Sequence, residues 1–150
     1  MARLNIHKLI YVSRCNLQPG VSSLQVLRSI VTSSTRNNVR VAVTGFLMMH
    51  EGHFIQILEG PLDPVRKTFR RIEPDLRHAD VAILDELDGS LRDFPEWSMA
   101  GALKTVDHEE IFLSHGVGRG QNPRNLKAAQ VLALAKDLHG FTAARRELVS

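Results

Sequence analysis

The segment His53 to Leu58, HFIQIL, constrains the fold of this chain more than any other. Side chains alternate along a strand, so Phe54, Gln56 and Leu58 share one face and Ile55 and Ile57 the other. Both faces are largely apolar, which places the strand at the centre of a sheet covered on both sides. A chain of 150 residues has the length for one domain, burying roughly 70% of its unfolded surface.

The neighbouring segments supply the rest of such a sheet. Residues 5–12 (NIHKLIYV) read as a first strand, broken by SRCNLQPG with its turn residues Pro19 and Gly20. Ser22 opens a helix, and Gln25 stands at the capping-box spacing. Leu24, Leu27, Ile30 and Val31 form its apolar stripe, and the polar run Ser33 to Asn38 ends it. Val41 to Met49 is a second strand, joined to the third by the tight connection His50-Glu51-Gly52 in an antiparallel hairpin. Asp63 and Pro64 provide an N-cap and first-turn proline for a second helix, with Val65, Phe69 and Ile72 inward and Pro74 as its stop. Asp80 to Leu84 is a fourth strand, and Trp97 to Leu103 a short fifth one.

The order β-α-β-β-α-β-β is a ferredoxin-like α+β plan with an added strand. Two helices cover one sheet face. The second face needs the remainder of the chain: a short helix over 108–114, a flexible connection at Gly116, Gly118 and Gly120, and a helix capped by Asn125. That last helix presents Leu126, Val131, Leu134, Ala135 and Leu138, and Gly140 fits its stop. The expected division is a core over 1–104 and a helical extension of the same domain over 105–150.

Composition excludes several classes of protein. No apolar run approaches the roughly 20 residues that span a bilayer, and His7 and Lys8 interrupt any signal-peptide core. Cys15 is the only cysteine, so an intrachain disulfide and a thiolate zinc cluster are both excluded. The expected location is cytoplasmic. A net charge of +3 is too small to imply nucleic acid. The basic residues Arg66, Lys67, Arg70, Arg71 and Arg77 read first as a solvated helix face. The seven histidines lack the spacing of a helical metal pair, and His50 and His53, flanking a turn, are expected to face solvent.

Four polar or aromatic features interrupt this plan. Gln56 sits in an otherwise apolar strand, and a buried amide without a partner costs about 1–3 kcal/mol. Its partner is a backbone group, a buried water or the polar edge of a ligand. Tyr11, the only tyrosine, lies on the first strand, which neighbours the third in a ferredoxin-like sheet. It is either an amphipathic core residue or a partner for Gln56. Asn37 and Asn38 either end the first helix or read a flat heterocycle carrying carbonyl and imide N–H groups. Trp97 and Met99 alternate on the last strand, as core packing requires.

Taken in order, LIYVSRC at 9–15, SSTRNNVRVAVTGFL at 33–47, HFIQILEG at 53–60, RRIEPDLRH at 70–78 and WSMA at 97–100 resemble the BLUF family of flavin-binding blue-light sensors. The resemblance covers roughly the first hundred residues. It implies FAD as cofactor, with the ring between the two helices and sandwiched by Ile30 and Ile72. It also implies that Asn38, with Asn37 beside it, bonds the ring's imide and carbonyl groups, that Arg71 reaches its carbonyl edge, that Arg77 and His78 face the ribityl or phosphate end, and that Asp75 belongs to the cofactor site. Tyr11 would stand beside the flavin, Gln56 between the two, and Trp97 and Met99 would report the state of Gln56. Light would draw an electron and then a proton from Tyr11, leaving Gln56 rotated or tautomerised. The implied protein is a sensor and not an enzyme. About fifty residues follow Trp97, as in short family members that act through homo-oligomers or a separate downstream protein, with no nucleic-acid or membrane partner expected.

Three other readings share the plan. An RNA-binding module needs aromatic and basic residues on an open sheet face, and aromatics are only 5% of the chain. An acylphosphatase-like hydrolase needs an anion-cradling loop after the first strand, for which Arg14 and Asn16 are the available residues. A structural oligomerisation domain would use Gln56 and Asn38 only as satisfied core polar groups.

Overall fold

The computed structural model describes residues 5–16, 19–22, 25, 29, 42–95, 98–99 and 106–149, with the backbone alone described at 98–99, 106–108 and 141–149. Strands β1 (Ile6–Cys15), β2 (Thr44–His50), β3 (His53–Gly60), β4 (His78–Gly89) and β5 (Ser98–Met99) form one sheet in the order β4-β1-β3-β2-β5. All pairings are antiparallel except β2 with β5. This is the ferredoxin-like arrangement with β3 at its centre.

Helix α1 (Leu62–Ile72) packs on one face, burying Val65 and Phe69 against Leu9, Tyr11, Val43 and Leu58, with Ile72 alongside. These positions recur at helical spacing and make one apolar stripe. The capping box of the preceding helical segment is present: Ser22 N–H donates to Gln25 Oε1 at 2.8 Å, and Gln25 N–H to Ser22 Oγ at 3.2 Å. Leu24, Leu27, Ile30, Val31 and the run 33–38 lie outside the described residues.

The C-terminal part covers the other face. Helices α2 (Val106–Ser114) and α3 (Ala128–Val149) are joined through a 3-10 turn at Pro123–Asn125. Phe112, Val117, Leu126, Val131, Leu134, Ala135 and Leu138 pack on Ile10, Val12, Phe46, Met48, Ile55 and Ile57. The sheet face on which an RNA-binding module would stack bases is therefore buried.

Several boundaries differ from the sequence expectation. Strand β1 runs on to Cys15 because Ser13 and Arg14 pair with neighbouring strands. Arg14 Nε bonds Asp80 at 3.0 Å, so this cation is already paired with a carboxylate. Strand β4 continues to Gly89, its acidic residues paired along β1. Pro61, not Asp63, is the N-cap of α1, which starts at Leu62. Asn125 does not cap the last helix, which starts at Ala128; it ends the 3-10 turn, which Asn122 caps by accepting from Arg124 N–H at 3.0 Å. Gly140 does not stop α3, which continues to Val149. His50 is buried, 3% exposed, rather than solvent-facing: Nε2 bonds the Gly118 carbonyl at 3.1 Å, and the ring stacks on Phe112 at 5.2 Å. Glu51 and Gly52 both have positive φ, 49° and 73°, the twist that a two-residue hairpin turn requires.

Candidate functional site

The hairpin turn and the β1–β3 pairing fix one row of residues across the sheet. Leu47 on β2 opposes Gln56 on β3, and Gln56 opposes Tyr11 on β1. Directly opposed residues point to the same face, so all three lie under α1. Tyr11 is 2% and Gln56 0% exposed. The Tyr11 hydroxyl donates to Gln56 Oε1. The other end of the amide, Nε2, is buried without a hydrogen-bond partner among the described residues.

Tyr11 is held from two further sides. The Phe69 ring of α1 stands 5.5 Å away at 58°, and the His78 ring 6.2 Å away, edge-on. His78 is fixed in turn: Nδ1 meets Ser13 Oγ and Nε2 the Ile72 carbonyl, both at 2.8 Å. A carbonyl only accepts, so Nε2 carries a proton. Burial pushes the Tyr11 phenol far above its ordinary range; Asp75 raises it further and Arg77 opposes. Tyr11 is therefore a neutral O–H donor.

A cleft of about 330 Å³ opens beside this row, lined by Tyr11, Leu47, Phe54, Ile72, Asp75, Arg77 and His78. Its lining mixes apolar and polar side chains, as small-molecule sites do. Arg77 clasps Asp75, Nε to Oδ1 at 2.9 Å and Nη2 to Oδ2 at 2.5 Å, and reaches Ser29 Oγ at 2.8 Å. That hydrogen bonding holds the Asp75 carboxyl below the usual carboxylate range, against its partial burial.

The structure brings together six of the expected site residues: Tyr11, Gln56, Ile72, Asp75, Arg77 and His78. Arg71 is exposed on the last turn of α1 and does not line the cleft. The backbone of Met99 pairs with Leu47 through β5. Ile30, Asn37, Asn38 and Trp97 lie outside the described residues. Leu47 and Phe54 line the cleft without having been singled out as site residues. The two-residue turn that sets Leu47 opposite Gln56 was the available signal. Ser13, which holds His78, carried none.

Residues 6–100 match the family model described as sensors of blue-light using FAD. The chain belongs to the BLUF family. Among curated relatives, it is 32% identical over 141 residues to photoactivated adenylate cyclase subunit beta of Euglena gracilis, covering 77% of this chain and 16% of that protein. It is 36% identical over 76 residues to the blue light- and temperature-regulated antirepressor BluF of Escherichia coli strain K12, covering 51% of this chain and 18% of that one. The chain thus spans under a fifth of each of these relatives, and their cyclase and antirepressor roles are theirs. Among solved structures, the photo-activated state of BlsA aligns with a TM-score of 0.75 at 28% identity, covering 90% of this chain and 94% of that one. BlrB in its dark state aligns with a TM-score of 0.70 at 24% identity, over 91% and 98%, a likeness of fold.

BLUF proteins are sensors that use FAD, and the cleft fits such a group. The unpartnered Gln56 Nε2 is a donor for a heterocycle's acceptor edge. Leu47, Phe54 and Ile72 offer apolar surface to a flat ring.

Proposed function

We propose that this chain senses blue light with bound FAD and that the Tyr11–Gln56 hydrogen bond is the element light switches. The observation that carries this reading is the half-satisfied Gln56 amide: one end bound to Tyr11, the other buried and unpaired. Bound FAD supplies the absorption of blue light and an excited state that accepts an electron.

This chain's own residues do the rest. Tyr11 is the candidate electron donor, and its hydroxyl proton faces Gln56 Oε1. A primary amide has a donor end and an acceptor end, so rotation about its terminal bond exchanges what it shows to each neighbour. In one state Gln56 accepts from Tyr11 and offers N–H to the cofactor. In the other it offers N–H to Tyr11 and its carbonyl end away from it; a tautomer of the amide serves the same exchange. Phe69 and His78 hold the Tyr11 ring through the change. Ile30 and Ile72 would sandwich the flavin, Asn37 and Asn38 would meet its carbonyl and imide groups, and Arg77 and His78 would face its far end.

The signal leaves through β5 at Trp97 and Met99 and changes how the C-terminal helices pack. Residues 1–104 and 105–150 act as one folded unit, which the core shared by the sheet, α2 and α3 supports. The receiver is a homo-oligomer partner or a separate protein. A cytoplasmic setting is part of this reading; no helix of the described residues is long and apolar enough to cross a membrane.

The test is Gln56→Leu. Protein reconstituted with FAD is expected to retain bound flavin but to lose the light-induced red shift. A full, reversible shift in that variant would remove Gln56 from the mechanism.

A further inference from the structure

One buried carboxylate is not used by the flavin site. Glu59 lies on β3, three residues beyond Gln56 and on the opposite face, and is 0% exposed. A carboxylate out of water needs several donors to remain charged. Glu59 has three: Lys8 Nζ, Asp93 N–H at 2.9 Å to Oε2, and Phe94 N–H at 2.6 Å to Oε1. Two of these come from consecutive backbone amides of the segment that joins β4 to β5.

The same segment is bound at other points. Arg92 donates to Thr44 Oγ1 at 2.7 Å, to the Glu59 carbonyl at 3.0 Å and to the Ala42 carbonyl at 2.6 Å. Asp93 takes Lys8 Nζ at 2.6 Å and Lys136 of α3 at 3.4 Å. Phe94 is wholly buried, its ring 5.1 Å from Phe46 and 5.7 Å from His139 of α3. Glu59 therefore joins the strand that carries Gln56 to the segment entering β5 and, through Phe94 and Asp93, to α3. Close packing reinforces the joint: a side chain at Gly60 would place its Cβ 2.8 Å from the Ala42 carbonyl oxygen.

We propose that Glu59 is a positioning residue for signal output, a latch by which the state of β3 sets the placement of residues 92–94 and hence of β5 and α3. This rests on the sensor reading above. The joint has discrete points at which it can part: Oε2 holds the Asp93 amide and Oε1 the Phe94 amide, while Lys8 binds the same carboxylate. A discrete pair of states, not a graded strain, is what a relay requires.

The experiment uses full-length, FAD-reconstituted protein and two readouts, the flavin absorption shift and amide hydrogen exchange in darkness and light. In wild type, light should change exchange at the Asp93 and Phe94 amides together with 106–138. Glu59→Gln should keep the red shift, exchange those two amides roughly tenfold faster in darkness, and lose the light-dependent difference over 106–138. An unchanged light-dependent difference in Glu59→Gln would overturn the latch. So would a wild-type response over 106–138 that leaves Asp93 and Phe94 untouched, a result available even if the variant does not fold. Absence of any flavin shift in wild type would instead overturn the sensor reading itself.

Discussion

Tyr11 and Gln56 face one another across the β1–β3 ladder, and the phenol donates to the amide oxygen while the amide nitrogen has no described partner. Removing one member of such a pair is worse than removing both, because the survivor stays buried and unsatisfied. In FAD-free protein, Tyr11→Phe is expected to cost about 1–3 kcal/mol. The double variant with Gln56→Leu should return to within about 1 kcal/mol of wild type. Denaturant unfolding of the four proteins measures the coupling. Additive effects would show that the two residues do not share a bond in the free protein.

The buried phenol also has a pH signature. Its folded pKa is raised above the ordinary value of 10.0, by burial first. A group whose folded pKa is raised contributes stability that is fully present below its unfolded pKa and is lost as pH rises toward the folded one. Unfolding free energy should therefore hold up to about pH 10 and fall above it. Tyr11 is the only tyrosine, so phenolate absorbance in FAD-free protein reports it alone. That absorbance should appear only with unfolding; an earlier titration would place Tyr11 in contact with water.

His50 fastens the β2 end of the hairpin to the C-terminal part through Phe112 and the Gly118 carbonyl. His50→Ala removes a buried ring and a hydrogen bond, at an expected cost of about 2 kcal/mol. That corresponds to a fall in Tm of roughly 4–8 °C. Thermal unfolding checks it, and exchange of the amides over 109–118 should rise with it.

The site was legible where chemistry broke a local pattern. Gln56 stood out because an amide interrupts Phe, Ile, Ile and Leu, and the ferredoxin-like order then set it beside Tyr11. The apolar stripe Val65, Phe69, Ile72 and the helix bearing Leu134 and Leu138 were readable from periodicity, which burial on one face imposes. Long-range pairing was not readable. Ser13 and Arg14 look like the end of a strand until the fold brings His78 to the Ser13 hydroxyl and Asp80 to the Arg14 guanidinium. Asp85, Glu86 and Asp88 look like a connection until β1 pairs with them, with His7 bonding Glu86 and Asp88 at 2.8 Å each. His50 looked solvent-facing because its cover, Phe112, lies some sixty residues away. Glu59 lies just past the strand end expected at Leu58, and only the fold supplies the two backbone amides that donate to its buried carboxyl group.

The central claim is tested most directly by the visible spectrum of the FAD-reconstituted protein, first in darkness and then under blue light. An oxidised-flavin spectrum that moves slightly to longer wavelength under light and returns in darkness is the predicted result. Bound flavin with no shift, or no uptake of FAD at all, would contradict it.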